Sequence, residues 1–258
     1  MPGVSVAVNP DPLAGVLALP GVADAAEAAG AAIAEVHRHR ANRRGFAVSA
    51  AEASVRAARA SATLDGGAPE LPAPDSDGRV FDPVLAGAVR VAAALDGAAL
   101  AGTVAVWRRS PLQVLARLHL LAAAGIADAD SLGRPRQDPG VAQRLDLLAQ
   151  LVTGGTRVPA AVLAAVVHGE LLALSPFGTA DGVVARAASR LVVVSTGLDP
   201  KNLTVPEVSW MRRSADYRTA AAGFATGAAD AVAAWVLGCC AALQAGAREA
   251  TSIADAHG

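Results

Sequence analysis

Ser175, Thr179, Asp181 and Arg186 place two hydroxyls, a carboxylate and a guanidinium in one short stretch that follows His168 and Glu170. Gly182 stands where apolar periodicity resumes, at the start of a helix. Free backbone N–H groups and the helix dipole at such a place favour negative charge. Gly182 equally permits a tight turn into the helix. Acid–base work is less well provided for. A serine hydroxyl is an unactivated alcohol and cannot serve as a base near pH 7. His168 lies two helical turns before Ser175, roughly 10 Å away along a continuous helix, and reads as a packed structural imidazole. Thr179 is a neutral hydroxyl, whereas a hard cation prefers carboxylate oxygen, and only Asp181 supplies that nearby. Arg186 reads as a phosphate ligand or, equally well, as half of a structural ion pair.

The elements that must hold these residues are helices. Hydrophobic residues make up 53% of the 258 positions and aromatics only 3%, so Ala, Val and Leu must build the core. Ala and Leu are the strongest helix formers, and strand signals are scarce, so the expected fold class is all-α. Val22, Ala26, Ala29, Ile33 and Val36 form one apolar stripe. The basic residues after it, Arg38, Arg40, Arg43 and Arg44, suit a helix C-terminus. Ser49 and Glu52 form a capping-box pattern, which predicts a second helix from 49 to Leu64, stopped by Asp65, Gly66 and Gly67. Residues 66–79 read as a linker, and residues 1–20, with Pro2, Pro10, Pro12 and Pro20, as irregular chain. Asp82-Pro83 and Ser110-Pro111 are helix starts. Further helices are expected at 141–152, 159–173, 183–196 and 215–245, with a loop over 131–140.

A formal charge of −1 gives no overall electrostatic drive towards nucleic acid or anionic membranes. The apolar run Ala231–Leu243 is shorter than the roughly 18 residues of a membrane span. Cys239 and Cys240 are adjacent, a poor geometry for a disulfide, and no Cys or His cluster suggests a zinc site. A reducing cytoplasm is the expected setting. No GxGxxG turn supports a dinucleotide fold.

The stretch from His168 to Arg186 resembles the signature of the Fic (Fido) family of AMP transferases, HPFx(D/E)GNGRxxR. Ser175 falls at the histidine, Pro176 and Phe177 are retained, and Thr179 falls at the acidic position. Ala180, Asp181 and Gly182 replace Gly, Asn and Gly. Val183 replaces the first arginine and Arg186 matches the second. Ser61, Asp65 and Gly66 resemble the family's inhibitory helix, (S/T)xxxE(G/N), with Asp for Glu. Gly197-Leu198-Asp199-Pro200, Tyr217 and Trp235 match a family turn, tyrosine and tryptophan. The resemblance implies an N-terminal segment and helix over 1–48 and a Fido-like domain over 49–258.

In the family the histidine is the base, the acidic residue holds Mg²⁺ on the phosphates of ATP, and the arginines bind phosphate. Here Ser175, Thr179, Asp181 and Val183 depart from that set. No room appears between Gly125 and His168 for the family's target-docking hairpin. The expectation is a degenerate Fic protein without AMP transfer, acting as a binding or regulatory module for a protein partner, with ATP and magnesium bound weakly at most and no metal ligand assigned. The alternative is an AMP or phosphoryl transferase using Thr179, Asp181 and Arg186. Asp65 and Arg186 are expected to form a partly buried ion pair.

Overall fold

The computed structural model describes residues 10–71 and 80–257, so most of the expected linker and Pro2 lie outside the described residues. Among the described residues there are twelve α-helices and no strand, in agreement with the all-α reading. The first, α1 (Ala14–Leu17), is a single turn. In α2 (Val22–Arg38) the stripe Val22, Ala26, Ala29, Ile33 and Val36 is buried, as its spacing predicts.

The next boundary differs from expectation. Helix α3 runs from Arg40 to Leu64, so Arg40, Arg43 and Arg44 open this helix rather than closing α2. Ser49 is buried inside it and does not start a helix. The interruption falls at Gly45 (φ −164°, ψ 63°). A residue without a side chain has little helical preference, so the chain yields there rather than at the capping-box pattern.

Three helices follow: α4 (Pro83–Ala94), α5 (Gly97–Trp107) and α6 (Pro111–Ala123). Asp82 caps α4 by accepting the Leu85 N–H at 2.7 Å. Where α4 crosses α6, a Cβ on Gly87 would overlap the Ala122 carbonyl oxygen, so glycine sets the closeness of that crossing. Helix α7 (Pro139–Gln150) widens into a π-turn at Leu151–Gly155.

Helices α8 (Ala160–Leu174) and α9 (Asp181–Ser195) form the centre. Residues 161–169 of α8 and 183–194 of α9 are buried without a break. A helix apolar on every side has to be wrapped by others. The loop 175–180 therefore joins two helices that are buried along most of their length.

The expected single helix at 215–245 is instead α11 (Ser214–Phe224) and α12 (Ala229–Ala256), preceded by a helix that periodicity missed, α10 (Pro206–Arg212). Gly227, at φ 72°, makes the turn between α11 and α12. The alanine-rich pattern runs through that glycine, which is why spacing alone hid it. At 28 residues, α12 exceeds the apolar run seen in the sequence and passes a length-and-hydropathy test for a span. It packs against α2, α8, α10 and α11, with Trp235, Val236, Cys240 and Leu243 buried, as the core helix of a bundle does.

A buried polar network fixes the far end of α9. Arg190 Nε and Nη2 donate to the two carboxylate oxygens of Glu207 at 2.6 and 2.7 Å, and Nη1 donates to Asn202 at 2.7 Å. Beside it, Asp199 accepts from Leu203 N, Thr204 N and Thr204 Oγ1 at 3.0, 2.8 and 2.7 Å, and pairs with His37 Nε2 at 2.9 Å. The Gly197–Pro200 turn is thus an anchor between α2, α9 and α10.

Candidate functional site

The loop between α8 and α9 turns sharply three times. Ser175, Gly178 and Ala180 all have positive φ, at 43°, 77° and 51°. Two of these are not glycine, and the left-handed region costs an L-residue about 1–2 kcal/mol. Ser175 ends α8, and its hydroxyl donates to the Leu172 carbonyl at 3.0 Å.

Arg136, from the loop before α7, holds this end of the site. Its guanidinium donates to the Leu174 and Ser175 carbonyls at 2.8 and 3.0 Å, and its backbone N–H donates to the Pro176 carbonyl at 2.7 Å. These are orphan carbonyls of the α8 terminus, which a cation satisfies well. Sequence reading passed over Arg136 because its loop offers no pattern.

His119 was also missed. It is fully buried on α6 and stacks on Phe177 with ring centroids 4.2 Å apart. Its Nδ1 accepts the Gly133 N–H at 2.9 Å, so the proton sits on Nε2, which donates to Thr179 Oγ1 at 3.0 Å. Burial lowers its pKa, so the ring is neutral near pH 7. A histidine among Leu115, Leu118 and Ala122 on the buried stripe of α6 was the available signal. With Nε2–H donating a hydrogen bond to Thr179 Oγ1, His119 offers that hydroxyl no basic nitrogen and cannot activate it as a nucleophile.

Asp181, at the first turn of α9, faces back into the loop and accepts the Phe177 N–H at 2.9 Å. Burial pushes its carboxyl up to about 6, against hydrogen bonds from Phe177 and Gly178 and the charge of Arg136; the carboxylate of Asp65 adds to the rise. The sign follows from linkage. A raised carboxyl pKa means that the folded state holds the proton longer, so stability falls as pH rises from about 4 to about 6 and stays lower above that. Asp181→Asn keeps an acceptor for Phe177 and does not titrate. It should melt with the wild type at pH 4 and above it at pH 7.5; an equal difference at both pH values would contradict this.

Asp65 and Arg186 meet directly. Asp65 Oδ2 lies 2.9 Å from Arg186 Nη2, with the guanidinium buried and the carboxylate a quarter exposed. The shorter aspartate reaches because of Gly182: a Cβ there would lie 2.5 and 2.6 Å from the two Asp65 oxygens. The carboxylate therefore occupies the space over the N-terminus of α9, where its charge suits the helix dipole. Arg186 Nε and Nη2 also donate to Ser61 Oγ and Ser61 O at 2.8 and 2.9 Å. Gly66 (φ 86°) turns the chain away after Asp65. Arg186 Nη1 reaches the Tyr217 hydroxyl at 3.4 Å, and that oxygen shares a 2.8 Å hydrogen bond with His168 Nε2. His168 is fully buried against Trp210 and Trp235, in the core and away from the loop.

A cleft of about 290 Å³ opens over the loop, lined by Asp65, Val84, Ile126, Thr179, Asp181 and Gly182. The sequence-derived residues thus fall into one place, Ser175 at its Arg136-held edge and Ser61, Asp65 and Arg186 locked together beside it.

At the level of sequence, neither a protein-family model nor a curated protein matches this chain. At the level of structure the chain is similar to the crystal structure of a Fic family protein from Desulfovibrio desulfuricans G20. The TM-score is 0.61 at 20% identity, covering 90% of this chain and 74% of that one. The chain has the Fic fold.

With the Fic fold in place, the motif loop and the segment containing Asp65 can be tested against the magnesium-bound nucleotide that the Fic motif implies. They do not fit it. The Asp65 carboxylate lies against Gly182 in the first turn of α9 and adds negative charge there, Thr179 offers the cation a hydroxyl already engaged by His119, and Asp181 accepts the Phe177 N–H.

The loop nevertheless keeps a glycine-type backbone. Ala180 stands at the first glycine of the Fic motif and retains a left-handed conformation. Ala180→Gly should relieve that strain. After the added flexibility of the unfolded chain is subtracted, a gain of about 0.5–1 kcal/mol is expected. A melting temperature a few degrees higher would show it, and a lower one would mean that the alanine methyl contributes more than its backbone costs.

Proposed function

We propose that this Fic-fold chain does not transfer AMP and acts as a binding or regulatory module for a protein partner. The observation that carries this reading is the Asp65 carboxylate, which lies against Gly182 at the start of α9 and is tied to Arg186. The absence of a base at Ser175 supports it, since loss of a general base costs about 10²–10⁴ in rate. The free, buried thiols of Cys239 and Cys240 suit a reducing, cytoplasmic setting.

Incubation with labelled ATP and a cell lysate should leave no labelled band. A band that disappears in Ser175→Ala would overturn the reading. Ser175→His alone should not create transfer, because the Asp65 carboxylate would still lie against Gly182.

One observation favours a second reading, a transferase with altered chemistry. Asp181 is a carboxyl with a pKa of about 6 in a cleft, the property of a general base. Micromolar, Mg²⁺-dependent ATP binding that is lost in Asp181→Asn would select that reading.

A further inference from the structure

The start of α3 is chemically unlike the rest of the surface. Residues 43–48, Arg-Arg-Gly-Phe-Ala-Val, are all exposed, with Phe46 at 41% and Val48 at 56%. Phe46 and Val48 thus put apolar surface directly beside the charges of Arg43 and Arg44. The acidic groups closest in this region are already taken, Glu35 by Arg38 and Asp255 by His39. Arg40, Arg43 and Arg44 have no carboxylate partner among the described residues. Lys201 adds a fourth cation, which donates to the Asn42 carbonyl at 2.7 Å and lies 4.7 Å from the Phe46 ring centroid. A protein of formal charge −1 thus concentrates unpaired positive charge at one place.

The surface is concave. A groove of about 440 Å³ opens at the Gly45 break, with Arg40, Arg44 and Val48 on the α3 side and His257 from the end of α12. We infer that this groove docks an acidic segment of a partner protein, with its carboxylates on Arg40 and Arg44 and an apolar side chain against Val48, while Arg43 and Phe46 lie on the exposed stretch beside it. A concavity suits an inserted side chain, whereas a membrane surface needs a projecting one. Duplex nucleic acid would meet the arginines through its phosphates and leave Val48 without a counterpart. The groove lies at the opposite end of α3 from Asp65, roughly 30 Å away by helix rise, and the inference stands independently of the nucleotide question.

The test is fluorescence anisotropy on the full chain with a labelled synthetic peptide alternating Glu and Leu. Saturable binding is expected, weakened by salt. The pair Arg40→Glu and Arg44→Glu should reduce affinity at least about tenfold, and Val48→Ser should weaken it separately. These residues are exposed, and thermal melts will confirm that the variants fold; Arg44→Glu alone is the substitute if the pair does not. No binding, a glutamate-only peptide binding equally well, or tighter binding to phosphatidylserine vesicles or duplex DNA would overturn the proposal.

Discussion

Glu207→Ala should lower the stability of the chain by about 3–5 kcal/mol, because it strands the buried guanidinium of Arg190. The two side chains are almost wholly enclosed, and both carboxylate oxygens accept from the guanidinium. For a chain of this size that loss corresponds to roughly 6–20 °C in melting temperature. Replacing both partners by apolar residues, Arg190→Met with Glu207→Leu, should recover much of it, since the cost lies in the unpaired charge. A loss below about 1 kcal/mol would mean that water reaches the pair. The neighbouring Asp199 adds a pH signature. Burial opposes its ionisation, but hydrogen bonds from His37, Thr204 and Leu203 prevail and hold the carboxyl below its ordinary range. A depressed acid stabilises the fold above its unfolded pKa, and that contribution is lost as pH falls below about 4.

Arg186→Ala should have a comparable effect, about 3–5 kcal/mol, because it leaves Asp65, Ser61 and Tyr217 without their common partner. Asp65→Ala should cost less, about 1.5–3 kcal/mol, since the guanidinium keeps its bonds to Ser61. The double variant should fall short of the sum by about 0.5–3 kcal/mol. Gly182→Ala offers an independent check, because its methyl would displace the carboxylate and should mimic Asp65→Ala. Additive losses in the cycle, or a neutral Gly182→Ala, would show that no lock joins the two helices.

The legibility of the chain in its sequence follows from how local each signal is. The buried stripe of α2, the Asp82-Pro83 start and the stop at Asp65-Gly66 rest on contacts a few residues apart, and the structure has them. The Ser49-Glu52 pattern failed because its cap competes with a helix already running from Arg40. The join of α11 and α12 failed because an alanine-rich stripe gives the same periodicity on either side of Gly227. At the site, the motif spacing brought Ser175 and Thr179 to one loop and Asp181, Gly182 and Arg186 to the first turns of α9, and the resemblance of the segment ending at Gly66 brought in Asp65. His119 and Arg136 reach that loop from positions with no sequence relation to it. Their roles, a proton on Thr179 and a cap on α8, arise only from tertiary packing.

The central claim, that a Fic fold here sets its own carboxylate at the start of α9 and does not use ATP, is tested most directly by calorimetric titration with ATP and magnesium. The carboxylates of Asp65, beside Gly182, and of Asp181 predict no saturable heat below roughly 100 μM, an affinity weaker than about 5.5 kcal/mol. Micromolar binding that requires Mg²⁺ would contradict the account.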